Sequence, residues 1–183
     1  MDFRELVQTR HSVRDFLPEP IPENVLNEML EAARLAPSAQ NRQPWRFVVI
    51  TNREKIKEMV LKTGLLGLSN YFIRSAPCVV VACADTTKNR RINDQDYYLV
   101  DTAIAFQQMI LMAWSHGIGS CWMAAFDEKK LKAWLELPES WRIVAMSPFG
   151  YPATKQGIYD KTLKVLARSK DRLPLEQIVR RIE

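Results

Sequence analysis

Phe3, Leu6 and Val7 recur at helical spacing until Thr9-Arg10-His11-Ser12, so a short first helix is expected to end in a polar, cationic cluster. Pro18, Pro20 and Pro22 punctuate the next stretch. Val25, Leu26, Met29, Leu30 and Ala33 then predict an amphipathic helix over 23–35, with Pro22 in its first turn. It must end near Ala36-Pro37, because proline disfavours helical backbone in the residue before it; residues 37–45 follow as a polar loop. Phe47-Val48-Val49-Ile50 and Cys78-Val79-Val80-Val81-Ala82-Cys83 lack polar alternation, which suits interior strands covered on both faces. Helical segments are expected between them, around 53–62 and 66–74.

From Asp96 to about His116 the pattern is helical and apolar on nearly every side, as in a buried helix. In a domain this small, such a helix would nearly be the core itself, which suggests that a second subunit covers part of it. Gly117-Ile118-Gly119 breaks it and leads into Ser120–Ala125, a strand or extended loop. Residues 127–136 read as helix, Ile143–Met146 as a last apolar segment ending at Pro148, and 174–182 as a terminal helix. Helices alternating with short apolar strands make an α+β or α/β sandwich. With 183 residues and no linker or repeat, one domain spanning 1–183 is expected.

Composition narrows the class. Hydrophobic residues at 47% and charged residues at 26% exclude a disordered or fibrous chain. Three cysteines with no C-x-x-C pair suggest neither a disulfide framework nor a thiolate zinc site, and fit a reducing cytoplasm. Met1-Asp2-Phe3-Arg4-Glu5 does not show the charged and then apolar pattern of a signal sequence, and no apolar run approaches the roughly 18 residues of a membrane span, so a cytoplasmic protein is expected. The net charge of +5 admits anionic partners, but the basic residues alternate with acids, as on a solvated surface more than a nucleic-acid stripe.

Two segments carry candidate chemistry. Arg10, Ser12 and Arg14 alternate, so in extended backbone their side chains share one side and form either an anion clamp suited to phosphate oxygens or a solvated basic turn. In Pro37-Ser38-Ala39-Gln40-Asn41-Arg42-Gln43-Pro44-Trp45, small residues permit close approach, and Asn41 and Gln43 offer amides for the edge of a planar heterocycle. The alternative is a loop capped by its own side chains. Gly117-Ile118-Gly119 follows a helix instead of a strand and reads as a turn, not a dinucleotide fingerprint. His116 suits the end of its helix, and Cys121, with no basic neighbour, suits a buried thiol.

Arg10-His11-Ser12-Val13-Arg14-Asp15-Phe16, the Pro37–Trp45 loop, Gly117-Ile118-Gly119-Ser120-Cys121-Trp122 and Gly150-Tyr151-Pro152 together resemble the FMN-dependent nitroreductase family, in order over nearly the whole chain. The resemblance implies an α+β, three-layer α/β/α sandwich with a mainly antiparallel central sheet, in an intertwined homodimer with FMN at the subunit interface. Arg10 and Ser12, with the late pair Lys170 and Arg172, would face phosphate and ribityl groups, and Arg14 the pyrimidine edge; His11 falls in the same cofactor-binding segment, as a structural hydrogen-bonder or a proton donor. Pro37, Ser38, Ala39, Asn41 and Gln43 would supply the loop contacts, at least Pro37, Ser38, Ala39 and Asn41 from the other subunit. Trp122, Met123, Ala124 and Ala125 would line the flavin, with backbone N–H groups of the last two toward N5 and O4.

The implied activity transfers hydride from NADH or NADPH through FMN to a small acceptor such as a nitroaromatic, quinone or flavin. The same resemblance covers reductive dehalogenases and ene-type dehydrogenases. Longer relatives carry an acidic residue where Ala124 stands and a lysine in the region of Tyr71–Arg74, which here has none. A flavin-binding protein without turnover is therefore the rival reading, and a basic nucleic-acid binder the third.

Overall fold

A computed structural model describes residues 1–62, 68–153 and 171–182. The chain divides into two compact units, Met1–Ala153 and Thr154–Glu183. In the first unit α1 (Phe3–Thr9) and α2 (Glu23–Arg34) precede β1 (Trp45–Ile50) and α3 (Arg53–Lys62). A 3-10 segment, Leu68–Ser75, leads to β2 (Cys78–Asp85), the short β3 (Arg91–Ile92) and β4 (Gln95–Asp96), and the long α4 (Tyr97–Ser115). Then come β5 (Gly119–Ser120), α5 (Glu128–Trp134) and β6 (Trp141–Gly150). No helix among the described residues is long and apolar enough to cross a membrane.

The central sheet has the order β1-β2-β6-β5, and all its ladders are antiparallel. Strand β2 lies in the middle, which explains its unbroken apolar run; β1, expected as an interior strand too, is the edge strand, and its residues 46–49 are only half-buried. Cys78, Val80 and Ala82 enter one core with Met29 and Ala33 of α2 and Ala105, Phe106 and Met109 of α4. Val79, Val81 and Cys83 enter a second core with Ile56 and Met59 of α3, Ile73 and Leu131 of α5. Each face of the sheet thus meets a helical layer, and the period-2 alternation separates two apolar environments instead of core and water. Burial in these cores pushes the thiols of Cys78 and Cys83 up to about 12.

Strand β6 runs through Pro148, where the sequence suggested a stop. Met146 N–H donates to the Met123 carbonyl on the β5 side, and amide directions alternate along a strand, so the nitrogen of Pro148 also faces that side. There the chain leaves the ladder, because Cys121 N–H donates instead to Ser147 Oγ at 3.0 Å. Proline occupies a position that asks for no donor.

Helix α4 ends as its glycine predicts. Gly117 adopts φ 73°, its N–H donates to the Trp114 carbonyl at 3.0 Å, and Ile118 N–H donates to Ala113 at 2.9 Å. The helix is not buried all round: Tyr98, Thr102, Phe106 and Met109 face the core, whereas Leu99, Val100 and Ile104 are exposed. The β3–β4 hairpin was not expected; Asn93 (φ 51°) and Asp94 (φ 60°) supply the left-handed pair that a tight hairpin turn requires.

Two expected helices are weaker than their periodicity implied. The stretch read as 66–74 is a 3-10 segment where described. In the second unit, α6 is the single turn Leu175–Ile178 instead of 174–182, and it buries no residue, so packing does not extend it.

Candidate active site

The cationic segment is held from both ends. Trp114 Nε1 of α4 donates to Thr9 Oγ1 at 2.9 Å, pinning the end of α1, while the His11 ring meets the edge of Trp114 at 5.0 Å and its Nδ1 lies 3.0 Å from the Thr9 carbonyl. Val13 packs in the cluster that Trp114 also borders. Because His11 and Val13 turn toward Trp114, the alternation of extended backbone sets Arg10, Ser12 and Arg14 on the opposite side. The contacts seen for His11 are structural.

This segment docks directly on β5. Ser12 forms a parallel bridge with Ser120, and Val13 N–H donates to the Ser120 carbonyl at 2.8 Å. Leu17 N–H donates to Tyr151 at 2.8 Å and Ala153 N–H to Asp15 at 3.0 Å, so three motifs far apart in sequence lie side by side. The approach depends on Gly119: a Cβ there would stand 2.7 Å from Val13 Cγ2 and 2.8 Å from Val13 Cβ.

Beyond β5 the chain continues as expected in extended form. Met123 is buried and bridges Met146, while Ala124 and Ala125 are exposed. Trp122, 40% exposed, lies with its ring 5.0 Å from that of the fully buried Phe106, which places an aromatic surface at the edge of the core.

The 37–45 loop is a built turn. Gln40, Asn41 and Gln43 all have positive φ (53°, 55° and 49°), conformations that cost L residues about 1–2 kcal/mol each. Ser38 Oγ accepts from Gln43 N–H at 3.0 Å, and Gln43 Nε2 donates to Asn41 Oδ1 at 3.0 Å and to its carbonyl at 3.1 Å. The loop is therefore capped by its own side chains, the alternative that its sequence left open. Among the described residues, neither Asn41 Nδ2 nor Gln43 Oε1 has a hydrogen bond, so a polar edge of each amide remains. Pro37 is exposed, and Ser38 and Ala39 are half-buried.

The loop is tied elsewhere than the cationic segment: Ala39 N–H donates to Asp101 Oδ1 of α4 at 3.0 Å. The sequence reading missed Asp101. Its signal was a lone carboxylate inside the most apolar helix of the chain. Lys170 lies outside the described residues, and Arg172 belongs to the second unit, where its guanidinium donates to the Asp171 carbonyl at 2.7 Å. His116 pairs with Glu28 of α2 at 2.8 Å, a link between helices. Cys121 is buried, as expected.

The donor set suits anion binding and recognition of a polar ring edge. Known proteins resemble the chain in both sequence and fold. The profile described as the Nitroreductase family matches residues 7–66 and 61–151. The NADH dehydrogenase of Thermus thermophilus is 29% identical over 210 aligned positions, covering 98% of this chain and 95% of that protein. A nitroreductase family protein of Clostridium novyi NT superposes with a TM-score of 0.78 at 30% identity, over 84% of this chain and 87% of that one. An FMN-dependent nitroreductase of Clostridium difficile R20291 superposes with a TM-score of 0.73 at 25% identity, over 88% and 96%. With an α+β fold around a mainly antiparallel sheet and its motifs converging on β5, this chain belongs to the nitroreductase family of oxidoreductases.

Proposed function

We propose that residues 1–183 act as one FMN-binding domain in a homodimer, oxidising NADH or NADPH and reducing a small acceptor such as a nitroaromatic, quinone or flavin. The observation that carries this reading is the Ser12–Ser120 bridge, which sets the cationic segment against the strand leading to Trp122, Ala124 and Ala125. Exposed Leu99, Val100 and Ile104 on α4 support a partner subunit, because an apolar helix surface of that kind gains stability when covered. The buried thiols, none in a disulfide, fit a reducing cytoplasm.

FMN, when bound, supplies the hydride chemistry. The residues present fit its polar parts. Arg10 and Ser12 offer a guanidinium fork and a hydroxyl to phosphate, with His11 seating the segment on Trp114. Arg14 places a fixed cation toward the ring, which favours the electron-rich form of the cofactor and raises its potential. Pro37, Ser38, Ala39, Asn41 and Gln43 of one subunit meet the cofactor held by the other. Met123 anchors the strand, Ala124 and Ala125 present backbone N–H groups to the ring edge, and Trp122 borders the acceptor side.

Ala124 in place of an acid, together with the absence of a long insertion between Asp85 and Asp96, leaves an open, permissive site. The test is purification and anaerobic mixing: a yellow protein that releases FMN on denaturation and whose flavin bleaches with NAD(P)H is expected. Bound flavin that stays oxidised would refute the enzyme reading in favour of a non-turnover binder. A colourless protein with salt-sensitive nucleic-acid affinity would remove the flavin reading altogether.

A further inference from the structure

We propose that Asp101 is a positioning residue that holds the 38–43 loop in the place where it receives FMN; this rests on the reading just given. Asp101 is 4% exposed and sits on the core side of α4, between Tyr98 and Ala105. A carboxylate there is expensive, since burial strips its hydration and an apolar side chain of similar volume would stabilise the helix packing more. Its described hydrogen bond goes to Ala39 N–H, 62 residues away in sequence, at 3.0 Å.

What it holds is a strained segment. Gln40, Asn41 and Gln43 occupy left-handed backbone that L side chains rarely adopt, and such conformations persist only when the surroundings over-determine them. The turn has internal bonds through Ser38 and Gln43, but these fix its shape and not its place. Arg46 Nη1 of β1 donates to the Gln43 carbonyl at 3.2 Å and holds the end of the turn, and Asp101 ties its start to α4. The Asp101 tie falls on the residue that opens the turn, so its loss frees that end of the loop while leaving every proposed FMN contact chemically intact.

The experiment compares full-length wild type, Asp101→Ala, Asp101→Asn and Asn41→Ala after removal of flavin. It measures FMN affinity by fluorescence quenching, the visible spectrum of the bound flavin, hydrogen exchange of the Ala39 amide and the melting temperature. If the freed loop is competent about one tenth of the time, apparent Kd rises about 10-fold in Asp101→Ala. The visible band then shifts and Ala39 exchanges faster. Asp101→Asn keeps an acceptor oxygen in reach and restores affinity to within about 3-fold, a rescue that a mere requirement for charge or stability does not produce.

Wild-type affinity and spectrum in Asp101→Ala, with affinity lost in Asn41→Ala, overturns the positioning role and leaves the FMN reading standing. Wild-type affinity in both variants takes the loop out of the site and overturns both. Equal losses in Asp101→Ala and Asp101→Asn, matched by a fall in melting temperature, assign Asp101 to stability alone. Should Asp101→Ala not fold, Asp101→Ser, too short to reach Ala39, takes its place with the same expectation.

Discussion

Replacing Gly119 by alanine tests the contact on which the candidate site is built. The added methyl carbon would stand 2.7 Å from Val13 Cγ2, 2.8 Å from Val13 Cβ and 3.0 Å from Val13 Cγ1. Carbon atoms pack at about 3.5–4.0 Å, so the two segments must part by most of an ångström or the Val13 backbone must tilt. Overpacking of this kind costs about 2 kcal/mol, which in a chain of this length lowers the melting temperature by roughly 4–8 °C. The strain falls on the Ser12–Ser120 bridge, so FMN affinity should fall with stability.

Val13→Ala removes the two methyl contacts and keeps the one to Cβ. In the double variant part of the loss is therefore recovered, with a coupling energy of at least about 0.5 kcal/mol. Melting curves and flavin titrations of wild type, the two single variants and the double variant complete the cycle. A Gly119→Ala protein melting within about 1 °C of wild type, or a strictly additive cycle, would refute the close approach.

Arg14→Ala should lower the flavin potential or raise the FMN Kd by about 10-fold or more, the worth of one charge-assisted bond; unchanged potential and affinity remove Arg14 from the site. At Glu128 burial raises the carboxyl pKa, but two bonds from Arg142 (2.8 and 3.0 Å) and the Ile143 N–H (2.9 Å) outweigh it, holding Glu128 below its ordinary 4.5. A depressed carboxyl stabilises the fold above its unfolded pKa and loses that contribution as pH falls through the folded one. Glu128→Gln should therefore cost about 1 kcal/mol at pH 7 and little once the wild-type carboxyl is protonated, which urea melts at pH 7 and well below pH 4.5 decide. Glu136 follows α5 at φ 52°, where glycine carries no penalty, so Glu136→Gly should raise the melting temperature by roughly 2–4 °C; a lower value contradicts the left-handed assignment.

Much of this architecture is written in local pattern. The 3.6-residue periodicity of α2 and the all-apolar stretch of α4 match Glu23–Arg34 and Tyr97–Ser115 closely, because in both the side chains that meet the core recur every turn. The unalternating run of β2 announced a strand covered on both faces, and the two cores lie there; the similar run of β1 did not reveal that it stands at the edge. The Arg10–Phe16, Pro37–Trp45 and Gly117–Trp122 motifs identified the family, since each is a short run whose residue types serve one purpose.

Contacts between distant segments were not legible in that way. Strand β6 continues through Pro148 because the neighbouring chain leaves the ladder at Cys121, a fact about the neighbour and not about proline. Gly119 reads locally as a helix breaker, yet its lack of a side chain matters because Val13 passes over it. Asp101 reads as a blemish in an apolar helix until Ala39 is brought to it. Local periodicity and turn chemistry act over one or two turns of chain, and thus set which elements form and which faces are apolar. Which backbone passes within 3 Å of another depends on how those faces pack, and packing placed Val13 against Gly119 and the 38–43 loop on Asp101.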